Sequence, residues 1–167
     1  MARWTGTWLS GPGTLPGAAD GTGPRWPGER LGLPERGVGA VAGGGRRVAG
    51  LLLDWLAAGL IASLFVPPPL YDVAAAQAQT VGYEYQVAAV LLWFVLTVPS
   101  AALFGFTPGM AAAGIRVGRL DGASRVGAWR AVVRWVLTFL LIPPAIRNVD
   151  GRGLHDRTTD TVVVRMR

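Results

Sequence analysis

Gly45-Arg46-Arg47-Val48-Ala49-Gly50-Leu51-Leu52-Leu53-Asp54 is the stretch that decides the fold, because it opens an apolar run over residues 48–66. Asp54 is the single ionised side chain in that run. A helix of ~20 residues crosses ~30 Å of hydrocarbon. A carboxylate at that depth costs ~2.5–3.5 kcal/mol, which the apolar side chains of the run offset with roughly 3–6 kcal/mol. The run predicts a transmembrane helix over about 47–66; the alternative is a buried helix of a soluble protein with a satisfied Asp54.

The composition favours a membrane protein over a soluble one. The chain has 167 residues, of which 51% are hydrophobic and only 16% charged, too little charge to cover a soluble domain of this size. All sixteen basic residues are Arg, and they flank apolar runs, which fits contact with lipid phosphate rather than with nucleic acid. There is no Cys, hence no disulfide and no thiol-based metal site. We expect the lipid bilayer as partner and no nucleic acid, no cofactor, no metal and no enzymatic activity.

Two further segments read as helices. Residues 87–104 carry no charge and predict a second transmembrane helix over about 86–104, with Pro99 tolerated near its end. Residues 132–146 are weaker, because the run is short, contains Arg134 and is broken by Pro143-Pro144. They predict a third helix over about 127–146, either fully transmembrane or re-entrant.

The distribution of Arg predicts the orientation. Arg residues precede the first run and follow the second, whereas residues 67–86 between them contain none, so the N-terminus and the 105–131 loop are predicted to be cytoplasmic. Residues 114–118 and 161–165 both read as short strands, which pair only if they lie on one side of the membrane. This favours a re-entrant third segment and a cytoplasmic tail, with three full crossings as the alternative.

The predicted fold class is therefore an all-α membrane protein with two firm transmembrane helices, a third transmembrane or re-entrant helix and a short cytoplasmic two-stranded β element. Residues 1–45 are rich in Gly and Pro and predict a largely disordered cytoplasmic tail. Residues 46–167 form the membrane domain. The use of Arg in place of Lys, with many Ala, Gly and Pro residues, is typical of a high-GC bacterium, so the expected location is the inner membrane of a bacterium.

The charged residues of the first helix need partners from elsewhere. Arg47 and Asp54 share a helix face but are separated by roughly 10 Å along the axis, too far for a comfortable pair. Gly50, Asp54, Ala58 and Ala62 repeat every four positions and form a stripe of small residues around Asp54. Such stripes allow helices to approach closely, which predicts that Asp54 faces protein rather than lipid. We predict that Arg134 on the third segment reaches Asp54, with Arg130 and Arg46 as further charge partners. The alternative is that Arg134 extends to lipid headgroups.

The opening stretch resembles the first motif of the RDD family of membrane proteins. Two later blocks, residues 104–117 and 153–164, resemble the remaining motifs and occur in the same order. The arginine and two aspartates for which the family is named fall on Arg47, Asp54 and Asp156. The chain departs from the pattern at Met110, where members often have Lys, and at Asp160, where they usually have Gly. The N-terminal residues also resemble a branch of the family from high-GC bacteria.

The resemblance implies a multi-pass membrane protein with a transport role that includes sodium/proton exchange. Asp54 is then the expected cation or proton site, because a carboxylate inside the membrane changes protonation as its partner moves. Two or three helices do not enclose a pore, so transport implies a homo-oligomer or other membrane proteins as partners. The alternative is a non-transporting scaffold or accessory subunit. Asp156 is expected to cap the turn before the last strand or to pair with Arg47 or Arg116.

Overall fold

A computed structural model describes residues 23–66, 75–140 and 150–167, with side chains from residue 81 onward in the second range. Within these ranges, five helices and two strands follow in order: α1 (Gly44–Ala62), α2 (Ala75–Phe104), α3 (Pro108–Ala112), β1 (Ile115–Arg119), α4 (Ala128–Phe139), α5 (Leu154–Thr158) and β2 (Thr161–Arg165). A 3₁₀ turn, Glu29–Leu31, precedes them. The predicted helical fold with a small two-stranded sheet is confirmed.

The long helix α2 is the centre of the fold. Helices α1 and α4 each pack against it, and within the described chain they pack hardly at all against each other. Residues Val81–Phe104 of α2 have a mean hydropathy of 2.3 and are the described segment that is long and apolar enough to cross a membrane. Helix α1 has 19 residues and carries three charged side chains, Arg46, Arg47 and Asp54.

The two strands form an antiparallel pair in which Ile115 lies opposite Arg165 and Arg119 lies opposite Thr161. The pairing predicted from residues 114–118 and 161–165 is therefore confirmed. The buried side chains of Ile115, Val117 and Val163 pack with Val126 against the two-stranded sheet. This core fixes the tail of the chain beside the cytoplasmic ends predicted for α1 and α2, and it holds α5 next to α4.

The segment before α1 differs from the expected disordered tail over the residues that the structure describes. Val41 forms a bridge to Val164, and the amide of Ala42 donates to the carbonyl of Val163 at 2.8 Å. Ala40 and Ala42 are buried as a result. The ordered domain thus begins before residue 45, because β2 offers a free edge that the chain pairs with. Residues 1–22, with Trp4 and Trp8, lie outside the described residues, as does the Pro143-Pro144 break.

The helix boundaries also differ from those predicted. Helix α1 begins at Gly44 and ends at Ala62, four residues before the predicted end. Helix α2 begins at Ala75, well before residue 86, because the polar residues ahead of the apolar run are helical too. Helix α4 runs from Ala128 to Phe139, and residues 141–149 of the third predicted segment lie outside the described chain.

Candidate functional site

One carboxylate, Asp156, ties three helices together. It is fully buried, and its Oδ2 accepts from Nη1 of Arg47 on α1 at 2.6 Å. Its Oδ1 accepts from Nη1 of Arg134 on α4. The amide of Gly153 donates to Oδ2 at 3.1 Å, which caps the start of α5. The expectations that Asp156 pairs with Arg47 and caps a turn are both confirmed, whereas no ion pair to Arg116 is found in the described chain.

The electrostatics of this cluster keep Asp156 ionised. Burial alone would raise the pKa of Asp156, but the charges of Arg134, His155 and Arg47 outweigh burial and hold that pKa below the usual carboxyl range. A lowered folded-state pKa stabilises the fold above the unfolded pKa of ~4. That stabilisation is fully present at neutral pH and is lost as the pH falls through the folded-state pKa.

The predicted ion pair between Arg134 and Asp54 is wrong. Arg134 is buried and donates to Asp156 and to Oγ1 of Thr161, the latter at 2.6 Å. The other two candidate partners go elsewhere: Nε of Arg130 donates to the carbonyl of Thr159 at 3.0 Å, and Nη1 of Arg46 donates to the carbonyl of Arg167 at 3.0 Å. The physical reason is the β1–β2 pairing, which brings α5 and its carboxylate next to Arg47 in the first turn of α1 and Arg134 in the second turn of α4.

Asp54 is held instead by the start of α3. Its Oδ1 accepts from the amide of Gly109 at 2.7 Å, and its Oδ2 accepts from the hydroxyl of Thr107. Thr107 Oγ1 also accepts from the amide of Met110 at 3.1 Å and so caps α3, with Pro108 at the first position. Asp54 is 5% exposed, and no Arg or His nitrogen of the described chain lies within 4.0 Å of its carboxylate.

Gly109 makes this contact possible, and Gly50 lies opposite it on α1. A Cβ at Gly109 would lie 2.1 Å from the carbonyl oxygen of Gly50 and 2.8 Å from Cγ of Asp54. A Cβ at Gly50 would lie 3.4 Å from the carbonyl oxygen of Gly109 and 3.4 Å from Cα of Met110, which are ordinary van der Waals contacts. The predicted small-residue face of α1 is confirmed by the burial of Gly50, Asp54, Ala58 and Ala62, and part of that face packs on α3.

A cavity of about 440 Å³ lies between α1, α2 and α4, with the sheet at one end. Asp54 and Met110 line it, as do Arg47 and Arg134 on the side of the Asp156 cluster. The remaining wall is mainly apolar. Its apolar part is contributed by Val48, Leu51, Leu52, Trp93, Val98, Ala101, Val117, Ala131, Trp135 and Val163, and the rest of the lining by Gly44, Thr97, Thr107, Thr138 and His155.

Sequence analysis missed an aromatic cluster that joins the three long helices beside the cavity. Trp93 of α2 has ring-centroid distances of 4.9 Å to Trp55 of α1 and 5.1 Å to Trp135 of α4. Trp135 also stacks on Phe139 at 5.7 Å. The Nε1 atoms of Trp93 and Trp135 are buried without a hydrogen-bond partner in the described chain. The available signal was the presence of one Trp in each apolar run.

The described residues hold no group of three or more His, Cys, Asp or Glu side chains arranged to bind a metal ion. The arrangement offers instead a buried carboxylate with an amide and a hydroxyl at its oxygens, facing a largely apolar cavity. Such a carboxylate can exchange a proton or hold a cation.

Comparison with known proteins gives the family. A protein-family model described as the RDD family matches residues 41–160, which is most of the chain and includes Arg47, Asp54 and Asp156. Neither the curated proteins nor the solved structures contain a match. The resemblance found in the sequence is therefore confirmed.

Proposed function

This chain belongs to the RDD family of membrane proteins, and on that premise we propose that it is a multi-pass protein of the bacterial inner membrane in which Asp54 binds a proton or a small cation during transport. We propose that α1 and α2 cross the bilayer and that α4 enters it without crossing. The observation that carries the membrane assignment is the reversed polarity of α1 and α4.

Helix α1 turns its polar side inward. Asp54 and the small residues are buried, whereas Leu52 and Leu56 on the outer side are 62% and 59% exposed. A helix at the surface of a soluble protein has the opposite arrangement, with apolar residues inside and charges outside. Lipid is the surrounding in which exposed Leu and a buried, hydrogen-bonded carboxylate are both favourable.

Helix α4 shows the same reversal. Its buried residues are Ala131 and Arg134, whereas Trp129 is 73% exposed and Leu140, directly after the helix, is 56% exposed. Its 12 residues span only ~18 Å, short of the ~30 Å of hydrocarbon. The pairing of β2 with β1 supports a tail on the same side as the loop between α2 and α4, hence a re-entrant third segment.

Labelling of single cysteines tests this topology, and the native chain contributes no thiol. Arg36→Cys, Arg157→Cys and Tyr83→Cys each place one thiol at an exposed position. A membrane-impermeant maleimide is expected to label Tyr83→Cys in spheroplasts, and the other two only in inverted vesicles. Labelling of Arg157→Cys in spheroplasts would show that the third segment crosses.

The transport proposal is supported by the division of charges around the cavity. Asp156 pairs with both arginines that line the cavity, which leaves Asp54 as a cavity carboxylate with hydrogen bonds but no counter-ion in the described chain. Three helix segments do not enclose a pathway. We therefore propose that the working form is a homo-oligomer or a complex with other membrane proteins.

Flux through proteoliposomes tests the role of Asp54. Liposomes that contain the wild-type protein are expected to show a pH- or sodium-driven cation flux, and Asp54→Asn is expected to reduce it at least tenfold because the exchangeable charge is lost. Asp121→Asn is the matched control, since Asp121 is an exposed carboxylate on the loop after β1. A flux that Asp54→Asn leaves unchanged would contradict the proposal.

The second candidate function is a membrane scaffold or accessory subunit. The observation in its favour is the Arg47–Asp156–Arg134 cluster, which holds α1, α4 and α5 together next to the sheet. Under this alternative the purified protein carries no flux and co-purifies from the membrane with a larger assembly of defined composition.

A further inference from the structure

The charged side chains that line the cavity differ in how much of their hydrogen-bonding capacity is available to a ligand. Arg47 directs its guanidinium to Asp156, to the carbonyls of Ala42 and Gly151 at 3.2 Å and 3.0 Å, and to that of Val163. Arg134 donates to Asp156 and Thr161. An anion in the cavity would have to compete with these bonds and would meet the Asp54 carboxylate as well. The charge arrangement therefore disfavours an anionic ligand.

Asp54 retains capacity for a cation that donates hydrogen bonds. A carboxylate has about four acceptor positions, and in the described chain two of these are used, by Gly109 and Thr107. A bare metal ion of the Ca²⁺ or Mg²⁺ type needs about six oxygen ligands. Besides Asp54, the described lining offers the hydroxyl oxygens of Thr97, Thr107 and Thr138, which together give fewer side-chain oxygens than such an ion needs. An ammonium group needs only two or three acceptors.

The remainder of the cavity suits an apolar body. Its volume of about 440 Å³ falls in the range of small-molecule sites, which extends from ~300 to ~1,000 Å³. Leu51, Val98, Trp93 and Trp135 supply apolar wall on three helices. Because α1 and α4 pack on α2 rather than on each other, the cavity lies at the gap between them, and an amphipathic molecule can enter from the bilayer.

From this combination we propose that the cavity between α1, α2 and α4 binds a small organic amine with an apolar body, whose ammonium group pairs with Asp54. The inference rests on the proposed function, because it names the substrate class of the same site. Proton and ammonium then compete for one carboxylate.

Three probes that share one skeleton test the proposal: 4-phenylbutylamine, 4-phenylbutanol and 4-phenylbutyrate. Binding to the purified full-length protein in mild detergent is measured by calorimetry, without any need for flux. We expect the amine to bind at least tenfold more tightly than the alcohol and the carboxylate. Asp54→Asn is expected to bring the amine within threefold of the alcohol, and Asp121→Asn to leave the preference unchanged.

Met110→Lys provides a second variant that keeps Asp54 and its hydrogen bonds. Met110 lines the same cavity, so a Lys there supplies a tethered ammonium that competes with the probe. We expect this variant to lose the amine preference even if Asp54→Asn does not fold.

Three outcomes overturn the proposal: equal binding of the three probes to the wild type, tightest binding of the carboxylate, or an amine preference retained in both variants. Amine binding without flux supports the amine site and counts against the transport function. Flux without an amine preference supports the transport function and counts against the amine site.

Discussion

Asp156→Asn is expected to lower the free energy of unfolding by about 3–5 kcal/mol, the range for removal of one partner from a buried ion pair. Two guanidinium groups depend on this carboxylate, and the side chains of Arg47 and Arg134 are only 13% and 7% exposed. An Asn side chain keeps the size but not the charge. It removes the negative charge that both guanidinium groups contact, and it weakens the link between α1, α4 and α5.

The loss is measured as the midpoint of unfolding in detergent, followed by circular dichroism. Asp160→Asn is the matched control on the same segment, since the Asp160 side chain is 79% exposed and lies 3.9 Å from Arg152. An exposed pair of this kind contributes ~0–1 kcal/mol, so the control is expected to stay close to wild type. Equal stability of Asp156→Asn and Asp160→Asn would show that the cluster does not hold the helices together.

Gly109→Ala is expected to cost about 3 kcal/mol, at the upper end of the range for overpacking. The added Cβ meets the carbonyl oxygen of Gly50 at 2.1 Å and the amide nitrogen of Asp54 at 2.9 Å. Both are backbone atoms within α1, so relief requires α3 to move away from α1. That movement breaks the hydrogen bond from the Gly109 amide to Asp54.

Gly45→Ala is the matched control for this change. It makes the same substitution on α1 at a position where a Cβ meets nothing within 4 Å. Ala is favoured over Gly in a helix interior by ~0.5–1 kcal/mol, so this variant is expected to be as stable as wild type or slightly more stable. A Gly109→Ala protein with wild-type stability would contradict the close approach of α1 and α3.

The three long helices and the two strands could be predicted from the sequence because each depends on local pattern, whereas the five-residue helices α3 and α5 were not predicted. The uncharged run over residues 87–104 predicts α2, and the short stretches 114–118 and 161–165 predict strands that pair with each other. The inward side of α1 also follows locally, since Gly50, Asp54, Ala58 and Ala62 repeat at helical spacing.

The partners of the buried charges could not be predicted in the same way. Helical periodicity gives the face on which Arg134 lies, but not its position relative to another helix. That position is set by the strand pairing, which brings Asp156 to Arg134 and Arg47. The partner of Asp54 is partly a backbone amide, that of Gly109, and a backbone donor leaves no mark in the sequence. The Trp55–Trp93–Trp135 cluster depends on relative helix positions too.

Asp156, and not Asp54, neutralises Arg47 and Arg134. Two double-mutant cycles in detergent test this pairing most directly, one with Arg134→Met and Asp156→Asn, the other with Arg134→Met and Asp54→Asn. We predict a coupling energy of about 1–3 kcal/mol in the first cycle and less than about 0.5 kcal/mol in the second. A large coupling between Arg134 and Asp54, with none between Arg134 and Asp156, would contradict the account.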